Sequence, residues 1–142
     1  MSLLSIFVRY LIFSMQNFSF PATQRLKSRK TIGYLFQKEK SKSFAVYPLR
    51  LVWVEMPLSA PGLVQTAFSV PKRNFKKATQ RNTIRRRMRE AYRLNQHLLS
   101  DCLSSRAYGF MWIFTSREEL PYSSIAFSIR TALEKWVRES TK

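Results

Sequence analysis

The sequence predicts an α+β sandwich in the order α-β-β-α-β-α, with a small mixed sheet and helices packed mainly on one side. Two kinds of apolar periodicity predict it. Short runs with strand character occur at 44–55, 65–70 and 108–115, and two longer stripes recur with helical spacing around Ile84 and Ile129. Strands and helices that do not alternate strictly make a layered α+β domain rather than a doubly wound sheet. With 45% hydrophobic and 14% aromatic residues, the 142-residue chain can bury the core of one domain.

The elements follow in order. Met1 to Met15 is mostly apolar but interrupted by Arg9, and is shorter than the roughly 20 residues that span a bilayer. It lacks a basic leading region and a small-residue cleavage site, so we expect it to make a poor secretion signal. We read residues 1–17 as an apolar extension outside the fold, with Met15 rather than Met1 as the start, and residues 18–142 as a single domain. Ser28 caps a short helix from Arg29 to Lys38 whose inward face is Ile32, Leu35 and Phe36. Phe44 to Glu55 reads as one strand, with Tyr47, Leu49, Leu51 and Trp53 on one face and Val46, Arg50, Val52 and Val54 on the other; Pro48 marks an edge or a bulge. After a loop holding Pro57 and Pro61, Gln65 to Val70 returns as a strand. A basic helix ends near Leu99 to Leu103, Tyr108 to Thr115 forms an apolar strand, and the closing helix after Pro121 buries Ile125, Ile129, Ala132, Leu133 and Trp136.

The basic segment carries the chemistry. From Lys72 to Arg93 the cations are Lys72, Arg73, Lys76, Lys77, Arg81, Arg85, Arg86, Arg87, Arg89 and Arg93, against one acid, Glu90. At about 100° per residue, Ile84, Met88, Ala91, Asn95 and Leu98 share an arc of roughly 80°. Arg81, Asn82, Arg85, Arg86, Arg89 and Arg93 share another of roughly 140°, with Tyr92 and Leu99 at the seam. Like charges at i,i+4 repel, and cations in the first turns oppose the helix dipole. Folding alone therefore disfavours this pattern, and a polyanion along the face relieves both penalties. The net charge of +17 points the same way. A merely solvated helix face would mix both signs.

Composition excludes several classes of chemistry. Cys102 is the only cysteine, which rules out an intrachain disulfide and a cysteine-based zinc site; beside Leu98, Leu99 and Leu103 it reads as a small buried hydrophobe, and the cytoplasm is its expected setting. His97 is the only histidine, has no orienting acid nearby, and reads as a helix-end residue. Gly33, Gly62 and Gly109 are isolated and match no phosphate-binding loop. The acids, Glu39, Glu55, Glu90, Asp101, Glu118, Glu119, Glu134 and Glu139, are too scattered for a two-metal nuclease. Glu118 and Glu119, just before Pro121, read as negative charge for the start of the last helix. No catalytic residue is assigned to the protein.

The run Arg81-Asn82-Thr83-Ile84-Arg85-Arg86-Arg87-Met88-Arg89 resembles the R-N-x-x-K-R-x-x-R signature of the bacterial ribonuclease P protein component. Four of its five fixed positions match, and Arg85 stands where the family has Lys. Phe68-Ser69-Val70-Pro71-Lys72-Arg73-Asn74 is similar to the family's approach to that helix, and Arg25-Leu26-Lys27 with Phe36 to its N-terminal helix region, where Ile32 replaces a frequent aromatic. The resemblance implies the fold of the second domain of ribosomal protein S5, including a left-handed β-α-β crossover. It also implies a noncatalytic subunit on a large catalytic RNA, in an enzyme that removes the 5′ leader from precursor tRNA. The partners would be that RNA and precursor tRNA, with no DNA or membrane, and no cofactor on the protein alone; Mg²⁺ would act through the RNA. Lys72, Arg73, Lys76, Lys77, Arg81, Asn82, Arg85, Arg86, Arg89 and Arg93 would contact RNA. Phe36, Tyr47 and Trp53 would line a leader groove, stacking bases of any sequence; at their spacing, Phe36 and Trp53 belong to the core roughly two times in three, with ligand contact the minority case. The alternative is a structural ribosomal or other RNA-binding protein without a catalytic partner, which shares the charge pattern.

Overall fold

The computed structural model describes residues 25–26, 32–33, 35–37, 39, 41–56, 64–99 and 107–140. Residues 1–17 with Met15, the cap at Ser28, the prolines of the 57–63 connection and Cys102 lie outside them. The elements are β1 (Lys42–Val46), β2 (Leu49–Met56), β3 (Val64–Ser69), α1 (Ala78–Asn95) with a 3-10 turn at Gln96–Leu99, β4 (Ala107–Phe114) and α2 (Tyr122–Ser140). Before them, Ile32, Gly33 and Leu35 are helical. The four strands form one mixed sheet in the order β1-β2-β4-β3, antiparallel except for β3 beside β4. β3, α1 and β4 thus form the parallel β-α-β unit.

The single strand expected over 44–55 is instead a hairpin. Val46 pairs with Leu49 and Phe44 with Leu51 across a turn at Tyr47-Pro48, whose peptide is cis. The chain is apolar straight through Val46-Tyr47-Pro48-Leu49, with no polar turn residue to announce the reversal. The reversal also shifts the alternation: Val46 joins Leu49 and Leu51 on the helix-facing side instead of Val52 and Val54. Tertiary hydrogen bonds fix the turn. Thr115 donates its N–H and hydroxyl to the Pro48 carbonyl at 2.8 and 3.0 Å, and the Ser128 hydroxyl donates to the Tyr47 carbonyl at 2.8 Å.

The core lies between the sheet and the two long helices. From α1 come Ile84, Met88 and Ala91; from α2 come Ile125, Ile129, Ala132, Leu133 and Trp136. All meet Leu49, Leu51, Phe110, Trp112 and Phe114 on the sheet. Trp136 packs edge-on against Tyr108 and Phe110, with ring centroids 5.0 and 5.1 Å away. Tyr92 and Leu99, placed at the seam by the helical projection, are buried here too, so the apolar arc of α1 is wider than its clearest stripe. β4 is buried on both faces, as its unbroken run Ala-Tyr-Gly-Phe-Met-Trp-Ile-Phe suggests for a central strand.

The opposite face of the sheet is not bare. Leu26 and Leu35 pack there with Val54 and Met111, flanked by Ile32, Val52, Ala67 and Ile113. The Leu26 N–H donates to the Thr66 carbonyl at 3.0 Å, and Arg25 bridges Thr66, so the N-terminal segment also pairs the outer edge of β3. Both long helices occupy one side, and the N-terminal segment covers part of the other. Phe36 departs from the inward role expected of it: it sits in the turn after Leu35 and is 69% exposed.

Candidate nucleic-acid interface

Phe75 builds the entry to the basic helix. Buried against Phe114, with centroids 5.8 Å apart, it pins the turn between β3 and α1 to the core and leaves Lys72, Arg73, Lys76 and Lys77 exposed around it. Asn74 closes that turn by donating its N–H to the Pro71 carbonyl at 3.2 Å. α1 then starts with no side-chain cap and no acid in its first turn, which leaves its positive end uncompensated from within. Arg81 folds back so that Nη1 donates to the carbonyls of Phe75 and Lys76, at 2.8 and 2.9 Å. One guanidinium thereby ties the helix to the turn.

Along the outer face, Asn82 and Arg85 act as a unit. Arg85 Nη2 donates to Asn82 Oδ1 at 2.8 Å, and its Nε reaches the Arg81 carbonyl at 3.4 Å. Arg86 and Arg89 are exposed. Asn82, Thr83, Arg85, Arg86 and Arg89 line a shallow depression of about 310 Å³. Four of the five were expected from sequence. Thr83, which was not, donates its hydroxyl to the Thr79 carbonyl at 2.9 Å and faces the depression through its i+3 spacing to Arg86.

Two arginines have other partners. Arg93, grouped with the phosphate-binding face by projection, is forked onto Glu90 through Nε, at 3.1 Å, and Nη2. That hydrogen bond holds the Glu90 carboxyl below its ordinary pKa. Arg87 donates Nη1 to the Leu120 carbonyl at 2.9 Å and pairs with Glu119 at 3.1 Å, clamping α1 to the segment before α2. Glu119, expected to supply negative charge to the start of α2, is instead paired with Arg87.

The three aromatics expected in one groove are placed apart. Trp53 faces the helices, against Phe44 at 5.2 Å. Phe36 follows Leu35, which packs on the opposite sheet face. Tyr47 lies in the hairpin turn, its hydroxyl donating to Ser116 Oγ at 3.2 Å. Strand alternation separates Trp53 from Val52 and Val54, the β2 residues that share a face with the N-terminal segment. Among the described residues no three His, Cys, Asp or Glu side chains cluster as metal ligands, and no helix is long and apolar enough to cross a membrane.

Comparison with known proteins identifies the family. The family model described as Ribonuclease P matches residues 20–137. The ribonuclease P protein component of Porphyromonas gingivalis is 37% identical over 105 residues, covering 73% of this chain and 75% of the relative. Among solved structures, the Staphylococcus aureus RNase P protein superposes with a TM-score of 0.63 at 18% identity, covering 80% of this chain and 94% of its own. The Thermotoga maritima RNase P protein does so with a TM-score of 0.61 at 17% identity, covering 78% and 96%. At those identities the structures speak for the fold, while the family match and the sequence relative speak for descent. The chain belongs to the ribonuclease P protein family, as the protein component of that tRNA-processing ribonucleoprotein.

Proposed function

We propose that the outer face of α1 and the lysine-rich turn before it grip the phosphates of the enzyme's catalytic RNA, and that the RNA performs the cleavage. The observation that carries this reading is the depression lined by Asn82, Thr83, Arg85, Arg86 and Arg89. Its guanidinium groups suit forked phosphate contacts, and Asn82 holds Arg85 ready for one. Lys72, Arg73, Lys76 and Lys77 extend the cationic track, and Arg81 fixes its angle to the helix. A divalent ion does not fit such a site, because guanidinium groups repel it and Asn82 is a single weak donor. Mg²⁺ in this reading is held by RNA, and no catalytic step is assigned to a side chain of this protein.

The 5′ leader of precursor tRNA is assigned to the sheet face opposite the long helices. Phe36 is exposed and follows Leu35, which packs on that face in a cluster that includes Val52 and Ile113, with exposed Arg50 further along β2. Trp53 is on the other face, and Tyr47 at the hairpin turn. The setting is the cytoplasm, where tRNA is processed.

Reconstitution tests the reading. Purified protein alone should leave precursor tRNA intact, and adding cognate RNase P RNA should produce cleavage at Mg²⁺ concentrations too low for the RNA by itself. Cleavage by the protein without RNA, after contaminating nucleases are removed, would overturn it.

A further inference from the structure

We propose a second RNA contact, a base-stacking hollow between the β1–β2 turn and the start of α2, occupied by an unpaired nucleotide of the catalytic RNA. The hollow measures about 430 Å³, and its walls include Tyr47, Pro48, Leu120, Ser124, Phe127 and Ser128. Tyr47 and Phe127 are 71% and 72% exposed, two of the largest apolar surfaces the described residues leave in water. Neither fills the core, which lies inward of both.

Tyr47 is exposed and yet held. Its hydroxyl donates to Ser116 Oγ at 3.2 Å, its carbonyl accepts from Ser128 Oγ at 2.8 Å, and the next carbonyl, of Pro48, accepts twice from Thr115. Ser116 is fixed in turn, because its hydroxyl donates to the Glu118 carbonyl and accepts from the Glu118 N–H, at 3.1 and 3.0 Å. An aromatic ring already ordered in water loses little further entropy when a planar ligand stacks on it. The hydroxyls of Ser123 and Ser124 on the remaining wall can donate to or accept from the edge of any base.

Continuity with the arginine face selects the occupant. Leu120 is part of the hollow, and its carbonyl is the acceptor of Arg87, the residue between Arg86 of the phosphate depression and Met88 of the core. Glu119, the acid at that junction, is neutralised by the same guanidinium. A strand held on Arg86 and Arg89 can therefore pass over Arg87 and place a base between the two rings, with its phosphates still on a strongly cationic protein. This inference rests on the arginine face being the site of the catalytic RNA.

The test compares Phe127→Ala with Arg86→Ala in full-length protein, measuring affinity for the cognate RNase P RNA over a salt titration. Losing one stacked base should weaken binding about 5- to 150-fold. Stacking neutralises no phosphate, so the salt slope should stay that of the wild type for Phe127→Ala and fall by about one for Arg86→Ala. Independently, benzophenone chemistry placed at position 127 should crosslink to unpaired nucleotides of that RNA. If Phe127→Ala binds like wild type while Arg86→Ala is weakened, the hollow is not a base site and the arginine reading survives. Wild-type binding by both would overturn both. A loss confined to precursor tRNA carrying a 5′ leader, or crosslinks to protein, would also overturn the assignment, because the occupant would then be something else.

Discussion

Asn82 and its neighbours show how much of a binding face can be set by contacts within one turn of helix. Its amide oxygen accepts from Arg85, so the neutral residue of the cationic signature positions a charge instead of adding one. Asn82→Ala should therefore weaken RNA binding with no change in net charge, whereas Arg86→Ala removes a phosphate contact outright. For Arg86→Ala we expect a loss of about 1.5 to 3 kcal/mol in RNA affinity, the usual value of a hydrogen bond to a charged group. Because Arg86 is exposed and flanked by like charge, its thermal unfolding should stay within about 0.5 kcal/mol of the wild type. Filter binding and a melting curve on the same preparations check both halves. Wild-type affinity for both variants would move the interface elsewhere.

At the scale of elements, α1 is joined to α2 by their apolar faces and to the segment leading into α2 by an ion pair. Arg87 reaches across to Glu119 and Leu120, and Tyr122 at the start of α2 has its pKa raised, first by burial and then by the nearby Glu90 carboxylate. Glu90 and Arg93 form an i,i+3 pair on α1, and the Glu90 carboxyl is lowered chiefly by the Arg93 hydrogen bond. A carboxyl with a lowered folded-state pKa stabilises the fold above its unfolded value of about 4.3, and that contribution is lost as pH falls through the folded value. The pair is partly exposed, so it is worth only a few tenths of a kcal/mol. Glu90→Gln should be less stable than wild type by about that amount at pH 7, and the two should converge in urea titrations near pH 3. A difference that persisted at low pH would assign the effect to packing instead.

For the whole molecule, β4 and α2 are the elements on which the rest depends. β4 is bonded to strands on both sides, and Trp136 of α2 rests on its Tyr108 and Phe110 rings. Trp136→Ala should cost about 3 to 5 kcal/mol, a large share of the roughly 5 to 15 kcal/mol that holds a domain together. One shared core predicts that helix content, by circular dichroism, and the fluorescence of the remaining tryptophans are lost in a single coincident transition. Two separated transitions would mean that the helices and the sheet unfold independently.

The sequence alone determined whatever depends on neighbours within a few residues. The helical stripe Ile84, Met88 and Ala91, the cationic arc opposite it, the buried stripe of α2 and the family signature were all legible, because i,i+3 and i,i+4 spacing places those side chains on a face whatever the rest of the chain does. Four of the five residues lining the arginine depression came from that same local geometry. Tertiary structure decided what depends on distant partners. Ser128 and Thr115 hold the Tyr47-Pro48 turn from 81 and 67 residues away, which made a hairpin of an apolar run that reads as one strand. Arg87 is matched to Glu119 only because α1 and α2 lie side by side, and Trp53 is turned away from the face that Leu26 and Leu35 cover only because strand register assigns it to the helix side. Helix periodicity is written locally, while register, strand reversal and the choice of ion-pair partner arise from contacts that exist only once the chain has closed on itself.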